Sequence, residues 1–116
     1  MVFKNIRIGC VHYYLEIANT IDLMRKGLAG RNSINKNSGM LFDFRKSQVQ
    51  GFWMKGINFN LDLIFLNQRR IVVSIKRLTA HNKKTVISNV PIRYAIELAR
   101  GQVRRCNVKI GDRIIF

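Results

Sequence analysis

Acidic residues are scarce in this chain. Asp and Glu number 6 against 21 Lys and Arg, a formal net charge of +15 over 116 residues. Such a surplus repels itself within a small domain and attracts polyanions. Proline occurs once, at Pro91, and the 8 glycines are scattered, which excludes a collagen-like or linker-rich chain. Two cysteines, Cys10 and Cys106, cannot build a disulfide framework. With His12 and His81 they have neither the number nor the spacing of a structural zinc site. No apolar run approaches the ~18 residues of a membrane-spanning helix. Met1 to Cys10 lacks the apolar core of an export signal. The expectation is a cytoplasmic protein with both cysteines as thiols. RNA-recognition, phosphate-loop and Ser-His-Asp or Cys-His nucleophile motifs are missing as well.

What is present is enough apolar material, 47% of residues, for a real core, on a length that suits one domain spanning residues 1–116. Val2 to Ile8 reads as a strand and Gly9-Cys10 as a turn. Val11, Tyr13, Leu15 and Ile17 alternate with His12, Tyr14 and Glu16, the period-two pattern of a half-buried strand. Thr20 is placed to cap a short helix with Asp22 in its first turn, Arg25 and Lys26 in its last, and Gly27 at its end. A polar loop from Arg31 to Ser38 follows, then a strand over Met40 to Phe44 and a short aromatic segment, Phe52-Trp53-Met54. Leu61 to Leu66 reads as a central strand, Asn67 to Arg70 as a turn, Ile71 to Lys76 as a second long strand, and residues 79–85 as a loop. Arg93 to Arg100 fits a strand or a helix face, and strand is favoured because Pro91 opens it and Gly101 ends it. One helical turn over Gln102 to Cys106 and a last strand over Arg113 to Phe116 complete the reading. The fold class is α+β, strand-dominated: a mostly antiparallel, β-barrel-like single domain with one or two short helices.

Several segments carry a family resemblance. They are Glu16-Ile17-Ala18-Asn19-Thr20, Arg25-Lys26-Gly27-Leu28 with Arg31, Gly39-Met40-Leu41-Phe42 with Phe44, Phe52-Trp53-Met54-Lys55 and Leu61-Asp62-Leu63-Ile64-Phe65. Tyr94-Ala95-Ile96-Glu97-Leu98, Gly101 and Gly111-Asp112 close the series. In this order they resemble the domain-of-unknown-function family one-nine-two over nearly the whole chain. The resemblance implies a mostly antiparallel β fold and says little about activity. The chain departs from the family at Ala29, where Met is usual, at Gly56-Ile57, where Asn-Thr is usual, and at Asn60, where Pro is usual. Its excess of basic residues is also unusual for the family.

Three functions compete. The leading one is a nucleic-acid-binding domain that grips phosphates with weak sequence preference, because Arg (12) outnumbers Lys (9) and forks onto phosphate. Its candidate contacts are Arg69, Arg70, Lys76, Arg77, Lys83, Lys84, Arg93, Arg100, Arg104, Arg105 and Lys109, expected to line one stripe. The second is an endonuclease dependent on Mg²⁺ or Mn²⁺, with Asp62, Glu97 and Glu16 as candidate catalytic carboxylates on predicted strands. No cofactor is expected otherwise. The third is a small-molecule or protein-binding pocket formed by Arg25, Arg31, Trp53, Met54, Lys55 and Asp62, with the charge incidental. Asp62 interrupts an apolar strand, so its carboxylate needs a cation or several donors. Arg31, at a matching family position, is its expected partner and Arg25 the alternate. Phe52-Trp53 serves either as core or as a platform for an unpaired base.

Overall fold

The computed structural model describes residues 2–116. Eight strands and two short helices follow in the order β1 (Phe3–Ile8), β2 (Val11–Ala18), α1 (Ile21–Lys26), β3 (Ser38–Gln48), β4 (Gly51–Phe52), β5 (Leu61–Leu66), β6 (Val72–Leu78), β7 (Val86–Ile87), β8 (Ile92–Ala99) and α2 (Gln102–Cys106). Six strands form one sheet in the order β1-β2-β3-β8-β5-β6, and β4 pairs with β7 in a separate two-stranded ladder. All neighbours run antiparallel except β2 and β3. The sheet is strand-dominated α+β as expected. It is open rather than closed, because β1 and β6 are its edges and do not pair with each other.

The parallel β2–β3 pair requires a crossover, and α1 with the loop after it supplies one. Thr20 caps α1, its hydroxyl accepting from the Leu23 N–H at 3.2 Å. Leu23, Met24 and Leu28 pack from this crossover onto one face of the sheet, joining Met40, Phe42, Phe52, Leu63 and Phe65 in one apolar cluster. The opposite face carries a second cluster built on Tyr13, Leu41, Ile64, Ile96 and Leu98, covered by Cys106 and Val103 of α2 and by Val108 and Ile114. β5 lies inside the sheet, between β8 and the edge strand β6, and is buried along its whole length, which is why it reads as a nearly continuous apolar run. The β1–β2 turn comes close to α2. Gly9 has φ +58, and a Cβ there would lie 1.9 Å from the Cys106 carbonyl oxygen. Only glycine meets both demands.

Two local expectations change. The strand beginning at Met40 spans Ser38–Gln48, with an interruption: its register with β8 shifts between Asp43 and Gln48. Arg45 takes φ +67 there, and its N–H donates to the Asp43 carboxylate at 2.9 Å. This self-contained turn opens a bulge in β3, and pairing with β8 resumes at Gln48. The expected last strand is reduced to one bridge, Ile71 with Arg113. The Asp112 carboxylate accepts from the Lys109 N–H and holds a tight turn, leaving few residues to extend a ladder. Phe116 packs edge-on against Tyr94, and the Arg70 guanidinium lies 4.0 Å above the Phe116 ring. In the aromatic segment only Phe52 belongs to a strand, while Trp53 and Met54 lie in the loop beyond it.

A candidate ligand pocket on the crossover face

Strand alternation assigns the three candidate carboxylates to different places. The register aligns Glu16, Met40, Glu97, Leu63 and Lys76 in one row across β2, β3, β8, β5 and β6. Neighbours in such a row share a face, here the α1 face. Asp62 belongs to the adjacent row with Leu98, Gly39 and Leu15, and points to the α2 face. Asp62 and Glu97 are therefore divided by the sheet and do not meet at one ion. Glu16 shares a face with Glu97, but β3 runs between them. Among the described residues, no three His, Cys, Asp or Glu side chains converge to hold a metal.

Asp62 is built into the frame. One carboxylate oxygen accepts the N–H groups of Gly101 and Val103, each at 3.0 Å, and so caps α2 from a neighbouring strand. The Arg100 guanidinium stands 3.5 Å away and also donates to the carbonyl of Leu78. The expected partner, Arg31, is elsewhere. It forms a forked pair with Glu16, one arm at 2.7 Å, on the other side of the sheet. Alternation along β5 decides this outcome, since it turns Asp62 away from the crossover that carries both Arg31 and Arg25.

Glu97 has the opposite environment. It is 2% exposed, yet its Oε1 has no hydrogen-bond partner. Burial without a nearby cation pushes its carboxyl up to about 8, so it is mainly protonated at neutral pH. A buried polar atom in this condition is costly and calls for a reason. Glu97 lines a cavity of about 780 Å³ under α1 and the bent half of β3. That volume falls in the ~300–1,000 Å³ range of small-molecule sites.

The walls come from elements described above. Phe42 and Phe44 stand on β3 and Phe52 on β4, with Phe42 and Phe44 each edge-on to Phe52 at centroid distances of 5.4 and 5.8 Å. Met24 of α1 and Ile57 complete an apolar lining, and Trp53, 58% exposed, stands at the mouth. The rim carries Arg25 and Lys26 from α1, Arg45 and Lys46 from the bend in β3, and Lys55. All five are exposed, and Glu97 is the only acid in the lining. Asp43 anchors the bend through its 2.9 Å contact with Arg93 Nε. Burial alone raises this carboxyl, but bonds from the Arg93 side chain and the Arg45 backbone outweigh it and hold it below the ordinary range.

Of the six residues expected to form one pocket, Arg25, Trp53 and Lys55 line this cavity. Met54 is buried and lines a smaller adjoining cavity of about 360 Å³ with Trp53, Lys55, His81, Asn82 and Lys83. Arg31 and Asp62 line neither cavity. The aromatic floor and the cations at 45 and 46 were missed, because the bend that brings them together is a departure from the regular strand. Glu97, expected on a strand as a candidate catalytic carboxylate, lines the pocket instead.

The eleven basic positions do not form one stripe. Arg69, Arg70 and Arg93 lie at the end of the sheet where β5 finishes and β8 begins. Arg77, Lys83, Lys84 and Arg100 lie at or beyond the opposite end, about 20 Å away by strand rise. Lys76 is on the α1 face, whereas Arg104 and Arg105 belong to α2, with Lys109 just beyond it. Several already have internal work: Arg93 on Asp43, Arg100 on Asp62, Arg105 on Asn37 and Gln102, and Arg70 on Phe116. Among the described residues, no helix is long and apolar enough to cross a membrane.

Comparison with known proteins agrees with this architecture. A protein of Sinorhizobium meliloti, provisionally named a transcription regulator, has the same fold with a TM-score of 0.88 and 27% identity, over 96% of this chain and 89% of its own. A protein of unknown function from Novosphingobium aromaticivorans matches with a TM-score of 0.87 and 24% identity, over 99% of this chain and 84% of its own. Among curated proteins, no sequence matches. The family model DUF192, described as an uncharacterized ACR, matches residues 4–116. The match spans the sheet, both helices and every residue of the pocket, and the chain belongs to this family.

Proposed function

We propose that the domain binds a small organic anion with an apolar body in the cavity on the α1 face. The observation that carries this reading is Glu97, a buried residue with one unpartnered carboxyl oxygen, which contributes to the lining of an apolar cavity rimmed by five cations. Aromatic walls favour a flat or apolar ligand body. The rim attracts negative charge and disfavours a cationic ligand. The protonated carboxyl is left as a donor and acceptor for the ligand. Trp53 is the only tryptophan, so its fluorescence reports the mouth of the site directly. Titration with an anilinonaphthalene sulfonate, an apolar anion, should change Trp53 emission saturably. Reversing Lys46 and Lys55 to Glu should weaken binding about tenfold or more. A response that does not saturate, or one indifferent to both reversals, removes the proposal.

A second reading, phosphate-led binding of nucleic acid, draws on the net charge of +15 and on the name given to the Sinorhizobium protein. Five phosphate contacts would give log K a slope of about −4.5 against log salt. A mobility-shift titration tests this, and affinity indifferent to salt ends it. The split of the basic residues between the two ends of the sheet favours the pocket.

A further inference from the structure

Resting on that pocket reading, we propose that the ligand is a nucleoside phosphate, its base on the aromatic wall with one edge against Glu97 and its phosphate held by the rim. Three features of the site each specify one part of such a molecule. The walls contributed by Phe42, Phe44 and Phe52 are aromatic and apolar, and a planar ring packs against the faces and edges of such rings. Glu97 lines the cavity beside this wall, and its buried Oε1 has no hydrogen-bond partner among the described residues. A neutral carboxyl offers one donor and one acceptor side by side, so it is completed by a group presenting the reverse pair. The edges of adenine and cytosine present that pair, with an exocyclic N–H beside a ring nitrogen. A fatty acid or simple aromatic acid fills the apolar space and leaves Glu97 unpaired.

The rim supplies the third specification. Arg45 and Lys46 on the bend of β3 and Lys55 beyond β4 surround the mouth of a cavity whose only acid is Glu97. Phosphate is matched by such a group of arginine and lysine, with the arginine able to engage two oxygens. Apolar wall, polar floor and cationic mouth thus follow the order of base, sugar and phosphate.

Calorimetric titration of the full chain with adenosine monophosphate, adenosine and inorganic phosphate, at low salt, tests the assignment. The monophosphate should bind about tenfold or more tighter than either part alone. Glu97→Leu should weaken it about tenfold, whereas Glu97→Gln, which keeps a donor beside an acceptor, should stay within about threefold. Lys46→Glu should weaken the monophosphate and leave adenosine unchanged. The inference is overturned if the monophosphate binds no better than phosphate, or if Glu97→Leu binds it as well as the unaltered chain. Should the sulfonate dye bind at the mouth while the nucleotide does not, the nucleotide assignment fails and the pocket reading stands. Failure of both probes removes both.

Discussion

The two faces of the sheet each bury a carboxyl, on adjoining strands and in adjoining rows, and treat it in opposite ways. On the α2 face, Asp62 receives two backbone N–H groups and lies beside a guanidinium. On the α1 face, Glu97 is as deeply buried and its inner oxygen receives nothing. Burial and residue type do not separate them; partners do. A buried acid whose lone pairs are filled from its own chain helps hold that chain together. One left unfilled beside an open cavity costs stability and is suited to a partner from outside.

This contrast is open to direct attack. The largest effect is expected at Asp62. Replacing it with Leu leaves the Arg100 charge without its counter-ion and the first N–H groups of α2 without their acceptor, and should cost about 3–5 kcal/mol in urea unfolding. A loss below about 1 kcal/mol would mean that the carboxylate is not a structural member. The same replacement at Glu97 should have the opposite sign. Glu97→Leu removes an unpaired polar group from an apolar wall and should raise stability by about 1–3 kcal/mol while weakening nucleotide binding about tenfold. Destabilisation of similar size to that at Asp62 would erase the distinction between the faces.

A third test reads the proton. The Glu97 carboxyl is pushed up to about 8 from an ordinary value of 4.5, so between these limits the folded chain holds a proton that the unfolded chain has released. Unfolding then becomes easier as pH rises. Stability should fall through that window with a slope approaching 1.4 kcal/mol per pH unit and level off above about 8. Glu97→Gln should flatten that dependence.

Much of the frame is legible in the residues. The alternation from Val11 to Ile17, the Thr20 cap and the Gly27 stop, the apolar run of β5 and the punctuation of β8 by Pro91 and Gly101 are local signals, and the structure repeats them. The site is less legible because its parts belong together only through register. Nothing near Arg31 in the chain says that its fork closes on Glu16 rather than Asp62; the parallel pairing of β2 with β3 and the alternation along β5 settle it. Arg45 is the other case. An arginine with positive φ is uncommon, so its neighbours read as ordinary strand, and the pocket wall they form goes unseen. The signal available was Asp43, two residues before, since an Asx side chain often bonds the backbone just ahead of it.

That same bend divides the labour of β3. The residues up to Asp43 are tied into the ladder with β8, and pairing resumes only at Gln48 with Ile92. The few residues between are free of the ladder, yet they carry two of the charges at the mouth of the cavity. A lengthened, shortened or recharged excursion at this point would change what the cavity accepts and leave the six-stranded frame in register. Diversification of ligand choice among proteins of this architecture should therefore concentrate in these few positions.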